Sequence, residues 1–302
     1  MYDILIIGAG PAGLTAAVYG ARANKKVLCL DALSYGGQII TSPSVENYPT
    51  YKNISGFDFA TNLYEQATHF GAEIDIDKVV KLEKNGETFT VTGESSTYQA
   101  KTVIIATGAK PRVLDLPNES SLLGSGVSYC AICDGAFFKG KTVVVNGGGN
   151  TAVEDALYLT DYCKKVYLVH RRKGFRAEEN LIEKLKNKPN AEFILDTVIT
   201  ELLESDRALV GLTLKNTATG ETSTLETDGL FVSIGRVPDT EFVKGLIDLD
   251  DGGYVKADES CKTNIDGVFV AGDCRTKVVR QLTTATSDGT ISALSAINYL
   301  DK

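Results

Sequence analysis

Residues 3–31, DILIIGAGPAGLTAAVYGARANKKVLCLD, and residues 142–172, TVVVNGGGNTAVEDALYLTDYCKKVYLVHRR, spell one succession twice: apolar strand, glycine turn, Ala-rich helix, second apolar strand. The first copy carries G-x-G-x-x-G at Gly8, Gly10 and Gly13; the second carries G-x-G-x-x-A at Gly147, Gly149 and Ala152. In such a turn the first glycine makes the tight bend, the second lets a pyrophosphate approach the backbone, and the third, small position lets helix pack on strand. The helix N-terminus then faces the phosphates. Glycine turns between strand and helix also serve packing alone. Here each copy follows a strand and opens a helix, which is the context a dinucleotide site requires.

The second strands diverge. Eighteen positions beyond the last small residue stands Asp31 in the first copy and His170 in the second. An Asp there can accept from a free ribose hydroxyl, whereas His170 followed by Arg171 and Arg172, with Arg176 further on, favours a 2′-phosphate. The first site is therefore expected to take an adenine dinucleotide without that phosphate and the second NADPH. The plain alternative for the HRR run is a solvated basic turn.

Both copies also finish alike, VIIATGAKP (103–111) and LFVSIGRVP (230–238) each running from an apolar strand into Gly, with Pro three residues later. Residues 79–105 and 191–228 read as short alternating strands, a small β layer in each copy. The last segment, GVFVAGDCRTKVVRQLTTATSDGTISALSAINYL, is a further strand, turn and helix. The second copy already ended at Gly235, so this segment is assigned to the first. The expected organisation is α/β, two Rossmann-like nucleotide-binding domains of three-layer ββα character (the FAD/NAD(P)-binding fold) joined by a two-stranded hinge. Residues 1–114 with 245–302 form one domain and 115–244 the other, joined by crossings near 113–117 and 242–247.

Composition narrows the function. With 302 residues, 43% hydrophobic and 23% charged, the chain is long enough for two cores. Its formal charge of −8 argues against nucleic acid or an anionic membrane as the main partner. MYDILIIGAG enters an apolar run at once and reads as a strand and not a leader. No apolar stretch approaches the roughly 18 residues that span a bilayer. Six scattered cysteines suit a reducing compartment, and the cytoplasm is expected.

Two of those cysteines stand in SYCAICDG (128–135), where Cys130 and Cys133 are three apart and Asp134 follows. A structural zinc site needs four ligands, and only one C-x-x-C exists, with His69 and His170 at no finger-like spacing. No metal is expected. The neighbouring Asp134-Gly135 marks a turn and not a core element, leaving redox activity: C-x-x-C thiols can have depressed pKa values and exchange rapidly. Asp134 can move the protons that disulfide reduction requires, or serve as a turn-former before Gly135.

These motifs in this order resemble the thioredoxin reductases of the short, bacterial type. The similarity rests on GAGPAG, GGQI with VENYP at 36–49, ATGA at 106–109, C-A-x-C-D-G at 130–135, GGGNTA with HRRxxFR, and AGD followed by RQ at 271–281. It implies FAD in the first domain, held by Gly8, Gly10, Pro11, Ala12, Gly13, Asp31, Gly36, Gly37, Gln38, Asn47, Thr107, Gly108, Asp273, Arg280, Gln281 and Leu282. For NADPH it implies Gly147, Gly149, Asn150, Thr151, Ala152, His170, Arg171, Arg172, Arg176, Ile234 and Gly235. It further implies that Cys133 faces the flavin, that Cys130 attacks the disulfide of a thioredoxin or thioredoxin-like protein, and that the chain is a homodimer. Nicotinamide and disulfide share one domain, yet each must reach the flavin of the other, so the 115–244 domain is expected to rotate between half-reactions. Departures from the family pattern are Ile132 where Thr is frequent, Cys274 directly after Asp273, and Leu282 where a smaller residue is common. The rival readings are a flavin-dependent NADPH:ferredoxin or small-acceptor reductase, against which the cysteine pair stands; a ferredoxin-fed thioredoxin reductase, against which GGGNTA and HRR stand; and a non-catalytic thiol redox sensor.

Overall fold

A computed structural model describes residues 1–302. The chain divides into two compact units, Met1–Lys110 with Val237–Lys302, and Pro111–Arg236. The first runs β1 (Tyr2–Ile7), α1 (Pro11–Arg22), β2 (Val27–Asp31), α2 (Gly56–His69), β3 (Glu73–Ile76), β4 (Val79–Asn85), β5 (Thr88–Gly93), β6 (Thr97–Ile105) and β7 (Ala109–Pro111). The second follows with β8 (Val127–Ser128), α3 (Ala131–Asp134), β9 (Thr142–Asn146), α4 (Asn150–Thr160), β10 (Lys165–Val169), α5 (Glu179–Lys186), β11 (Ala191–Ile194), β12 (Thr197–Ser205), β13 (Ala208–Asn216), β14 (Thr222–Glu226), β15 (Gly229–Val232) and β16 (Arg236–Pro238). The chain then returns to the first unit for β17 (Val268–Val270) and α6 (Leu282–Leu300).

The sheet of the first unit has the order β3-β2-β1-β6-β5-β4, with β17 also on β6. Strand β6 is the junction. Its end, Thr102–Ile105, pairs in parallel with β1 and β17, while its beginning, Thr97–Ala100, pairs antiparallel with β5. From Ile4 to Ile7 β1 is an unbroken apolar run because both its faces are buried there, as in parallel sheets generally. Ile4 and Ile6 pack with α1 and α6, whereas Leu5 and Ile7 pack with Phe89 and Val91 of β5 and with Val243 and Val255. The helices approach closely: a Cβ at Gly289 of α6 would lie 2.2 Å from the Ala12 carbonyl of α1.

The second unit repeats the plan. Its parallel sheet has the order β11-β10-β9-β15-β8, and β12-β13-β14 form a separate antiparallel sheet. Val143 and Val145 face α4 and α5, and Val144 faces Leu202, Leu212 and Leu214 of the β layer. Each unit is thus helix, parallel sheet and antiparallel layer, the two-Rossmann architecture read from the repeat. At the two points where the chain passes between units, β7 and β16 pair as a two-stranded ribbon. No helix is long and apolar enough to cross a membrane.

Candidate functional site

The three small positions of the first fingerprint are not equivalent in space. A Cβ at Gly8 would meet the Ala106 carbonyl oxygen at 2.4 Å, and one at Gly13 would meet the Gly8 carbonyl oxygen at 1.8 Å. Both glycines are demanded by packing. At Gly10 the nearest atom is the Gly37 Cα at 3.9 Å, so that position opens on free space. The second copy sorts the same way: a Cβ at Gly147 would meet the Ser233 carbonyl oxygen at 2.4 Å, and one at Gly149 would meet nothing within 4 Å. In both turns the open glycine is the N-cap of the following helix, with no side chain capping it. Free N–H groups at a helix start beside an open backbone groove are what a pyrophosphate requires, so the donor set fits a dinucleotide in each unit.

Around the first turn the candidate FAD residues converge. The Asp31 carboxylate accepts from the Ala9 N–H at 2.8 Å and the Leu33 N–H at 3.1 Å, which fixes it at the end of β2. Gly36 and Gly37 both have positive φ, and a Cβ at Gly37 would lie 3.2 Å from the Gly10 Cα. Gln38 Nε2 donates to the Ala109 carbonyl at 2.8 Å, just beyond Thr107 and Gly108. Asn47 Nδ2 donates to Gln281 Oε1 at 3.3 Å, and Arg280 Nε donates to the Asp273 carbonyl at 3.3 Å while its guanidinium lies 4.2 Å over the Tyr254 ring. Gln281 caps α6 through a reciprocal bond with Thr284, which sets Leu282 as the first helical residue. Gly272 sits against Ala12, so the 272–274 turn bearing Asp273 abuts the start of α1, Pro11 included.

In the second unit Asn150, Thr151 and Ala152 form the first turn of α4, and Ser233, Ile234 and Gly235 leave β15 beside it. Asn150 exchanges two hydrogen bonds with Glu178. Arg171, Arg172 and Arg176 are exposed and make no ion pair, and the Arg176 N–H donates to the Gly148 carbonyl at 2.8 Å. His170 is different. It is buried, stacks on Phe175 at 5.2 Å, and occupies the space beside Gly148, where a Cβ would meet its ring at 2.1 Å. Burial pushes its pKa down, opposed by a hydrogen bond with the Gly174 carbonyl and helped by the three arginines, so at neutral pH the positive charge of the loop comes from the arginines.

The cysteine pair sits in the same unit. Cys130 and Cys133 form a disulfide at 2.07 Å, spanning the start of the one-turn helix α3. Cys130 is half-buried and Cys133 exposed, and the Cys133 N–H donates to Cys130 Sγ at 3.2 Å. Gly135 lets α3 lie on α4: a Cβ there would come within 3.0 Å of Leu159 and 3.1 Å of Tyr158. Asp134 is pushed up by burial, opposed by a hydrogen bond from Ser128 at 2.5 Å. The other four cysteines are buried and free. No group of side chains in the fold could hold a metal ion.

Sequence reading passed over four residues that these contacts reveal. Ser128 holds Asp134. Buried Glu119 accepts from the Leu114, Asp115 and Leu116 N–H groups and from the Tyr129 hydroxyl, tying residues 114–116 to the segment before Cys130. Asp155 of α4 accepts from Ser233 at 2.5 Å, and burial pushes its pKa up to about 6. Asp288 of α6 binds Arg275, Lys277 and the Gly272 N–H. The partners lie up to 78 positions apart, so no local spacing announces them.

Two nucleotide folds, one of them carrying a disulfide followed directly by a part-buried carboxyl, define a class of pyridine-nucleotide-linked disulfide oxidoreductase. A family model described as pyridine nucleotide-disulphide oxidoreductase matches residues 2–289. The thioredoxin reductase of Peptoclostridium acidaminophilum is 44% identical, covering 100% of this chain and 98% of its own. That of Bacillus subtilis is 41% identical, covering 100% and 96%. The crystal structure of thioredoxin reductase from Streptococcus pyogenes superposes with a TM-score of 0.95 at 43% identity, covering 100% of this chain and 98% of that one. The chain belongs to the pyridine nucleotide-disulphide oxidoreductases and, within them, to the thioredoxin reductases.

Proposed function

We propose that this chain reduces the disulfide of a thioredoxin or thioredoxin-like protein with electrons from NADPH, using FAD and the Cys130–Cys133 disulfide. The observation that carries the reading is that disulfide, formed in the unit that also holds the second fingerprint and its unpaired arginines. When bound, NADPH and FAD supply a hydride donor and a two-electron carrier. Gly8, Gly10 and Gly13 with Asp31 would seat the FAD, and Gly147, Gly149 and Ala152 with Arg171, Arg172 and Arg176 the NADPH.

The thiol chemistry belongs to the chain's own residues. Reduction breaks the Cys130–Cys133 bond and leaves two sulfurs that between them need protons. The Cys133 N–H directed at Cys130 Sγ favours its thiolate, which suits Cys130 to attack. That thiolate displaces one sulfur of the partner disulfide and forms a mixed disulfide. Cys133 then attacks Cys130 Sγ, the internal bond re-forms, and the second partner thiolate leaves. Asp134, whose burial keeps its proton to higher pH than a surface carboxyl, gives a proton in the first half and recovers it in the second. The unit bearing the pair turns about its two crossings between half-reactions, and the protein works as a homodimer; its few, buried free thiols support a cytoplasmic address.

The test is NADPH consumption with a thioredoxin and a dithiol reporter. The parent turns over only when thioredoxin is present, and Cys130→Ser/Cys133→Ser loses that turnover while still taking up flavin. A double variant as active as the parent ends the reading, and a single stoichiometric bleaching by NADPH in the parent favours the sensor.

A further inference from the structure

The Ser128 hydroxyl lies between the backbone of the first redox cysteine and the carboxyl after the second. Ser128 is 2% exposed, at the end of β8, where Phe231 of β15 is its neighbour. Its oxygen accepts the Cys130 N–H at 3.0 Å. Two acceptors stand within its reach, Asp134 Oδ2 at 2.5 Å and the Cys130 carbonyl at 3.3 Å. A serine hydroxyl has one proton and two lone pairs, so it serves one of these acceptors at a time. With Asp134 ionised, the proton goes to the carboxylate. With Asp134 protonated, the acid O–H can donate to the remaining lone pair of Ser128, whose own proton turns to the Cys130 carbonyl. Both protonation states are then satisfied by rotation of one O–H bond.

We propose that Ser128 is the positioning residue for proton transfer at the redox pair: a hydroxyl that reorients as Asp134 gains or loses its proton, and so sets the carboxyl's place and proton affinity. The proposal rests on Cys130 and Cys133 being the working pair. Its step balances simply. The Asp134 O–H bond breaks, its proton goes to a cysteine sulfur freed when the two-electron reduction cleaves the disulfide, and the negative charge moves to the carboxylate. Ser128 keeps its proton throughout and changes only its acceptor.

Other groups around Asp134 leave the hydroxyl this role. On α3 the neighbours are Cys130, whose carbonyl accepts the Asp134 N–H at 3.1 Å, and Cys133. On α4, Tyr158 packs at Gly135, and Asp155 is held by Ser233. Tyr129, next to Ser128, is bonded to Glu119. No cation pairs with Asp134, and burial opposes its ionisation.

The experiment follows the Asp134 carboxyl directly, by carbon-13 or infrared titration of the oxidised protein, with Asp134→Asn identifying the signal. Ser128→Ala removes the donor to the charged form and shifts the titration upward by about one pH unit or more. The pH profile of disulfide reduction moves the same way. Ser128→Thr restores the hydroxyl and the parent's titration. If Ser128→Ala does not fold, the Thr variant and the parent's carboxyl stretching band, which reports the hydrogen bond that the protonated acid gives to Ser128, decide the matter. A Ser128→Ala titration coinciding with the parent's overturns the proposal, as does activity lost uniformly across pH. The titration needs neither NADPH nor thioredoxin, so its outcome is independent of the proposed reaction, whose failure would appear as thioredoxin-independent kinetics in the parent.

Discussion

Asp288 offers the sharpest perturbation. It stands on α6 with its side chain 6% exposed and faces two cations, Arg275 at 6% and Lys277 at 8%. Arg275 reaches it twice, Nε to Oδ2 at 2.9 Å and Nη2 to Oδ1 at 3.2 Å, Lys277 Nζ lies 2.7 Å away, and the Gly272 N–H donates at 3.0 Å. One carboxylate thus answers two buried positive charges and ties α6 to the turn that bears Asp273. Asp288→Asn keeps one acceptor but removes the negative charge bonded to both cations and turns an NH2 group toward one of them. Breaking a buried pair so that charge is left uncompensated costs about 3–5 kcal/mol. At about 1.4 kcal/mol per factor of ten, amides of α6 that exchange through opening of this unit should exchange roughly 100 to 3,000 times faster, while those of β9 and β10 in the other unit keep the parent's rate. Lys277→Met leaves a neutral Arg275–Asp288 pair and costs far less, about 1–2 kcal/mol. Burial alone would raise the Asp288 pKa, but its bonds to Arg275 and Lys277 hold it below the ordinary carboxylate value of 3.8. Its contribution is therefore present above that value and disappears as pH falls through the folded one, so parent and Asp288→Asn converge only once pH has fallen through that lower value. Peptide-resolved hydrogen exchange reads all of this. A change under tenfold in α6, or a Lys277→Met effect equal to that of Asp288→Asn, would refute the charge argument.

Three further substitutions test the nucleotide turns and the part-buried Asp155. Gly149→Ala places a methyl in open space at φ −101°, so unfolding should shift by less than about 1 kcal/mol while NADPH affinity, measured by titration, falls tenfold or more. Gly13→Ala should instead prevent the first unit from folding, because its methyl would fall on the Gly8 carbonyl. Asp155→Asn can still accept from Ser233 but carries no charge to bury. A folded pKa raised from 3.8 to about 6 favours folding relative to higher pH only while the acid is protonated, and that advantage is lost as pH rises from 4 to 6. The variant should therefore exceed the parent's stability by up to about 3 kcal/mol at pH 8 and by nothing below pH 4; a less stable variant at pH 8 would show that Asp155 is held charged by its surroundings.

The twofold α/β plan was legible because its causes are local. Gly8, Gly13 and Gly147 answer contacts made within their own turn or with an adjacent strand, and both-face burial of β1 and β9 writes itself as unbroken apolar runs. The disulfide partners are three residues apart, so their meeting needs only one turn of chain. Local pattern also fixed the return of β17 and α6 to the first sheet, since the second repeat had closed before them. What the tertiary structure alone decided are pairings of buried polar groups: Ser128 with Asp134, Ser233 with Asp155, Glu119 with Tyr129, Asp288 with Arg275 and Lys277. The sequence carries His170 beside two arginines as one basic run, yet packing against Gly148 and Phe175 separates a neutral ring from the exposed cations. The points where the chain passes between units depend on β7 and β16, three-residue strands too short to show a period. Backbone requirements and hydrophobic period are written along the chain, whereas a buried hydrogen bond is chosen by which strand ends and helix faces meet, and that choice exists only after folding.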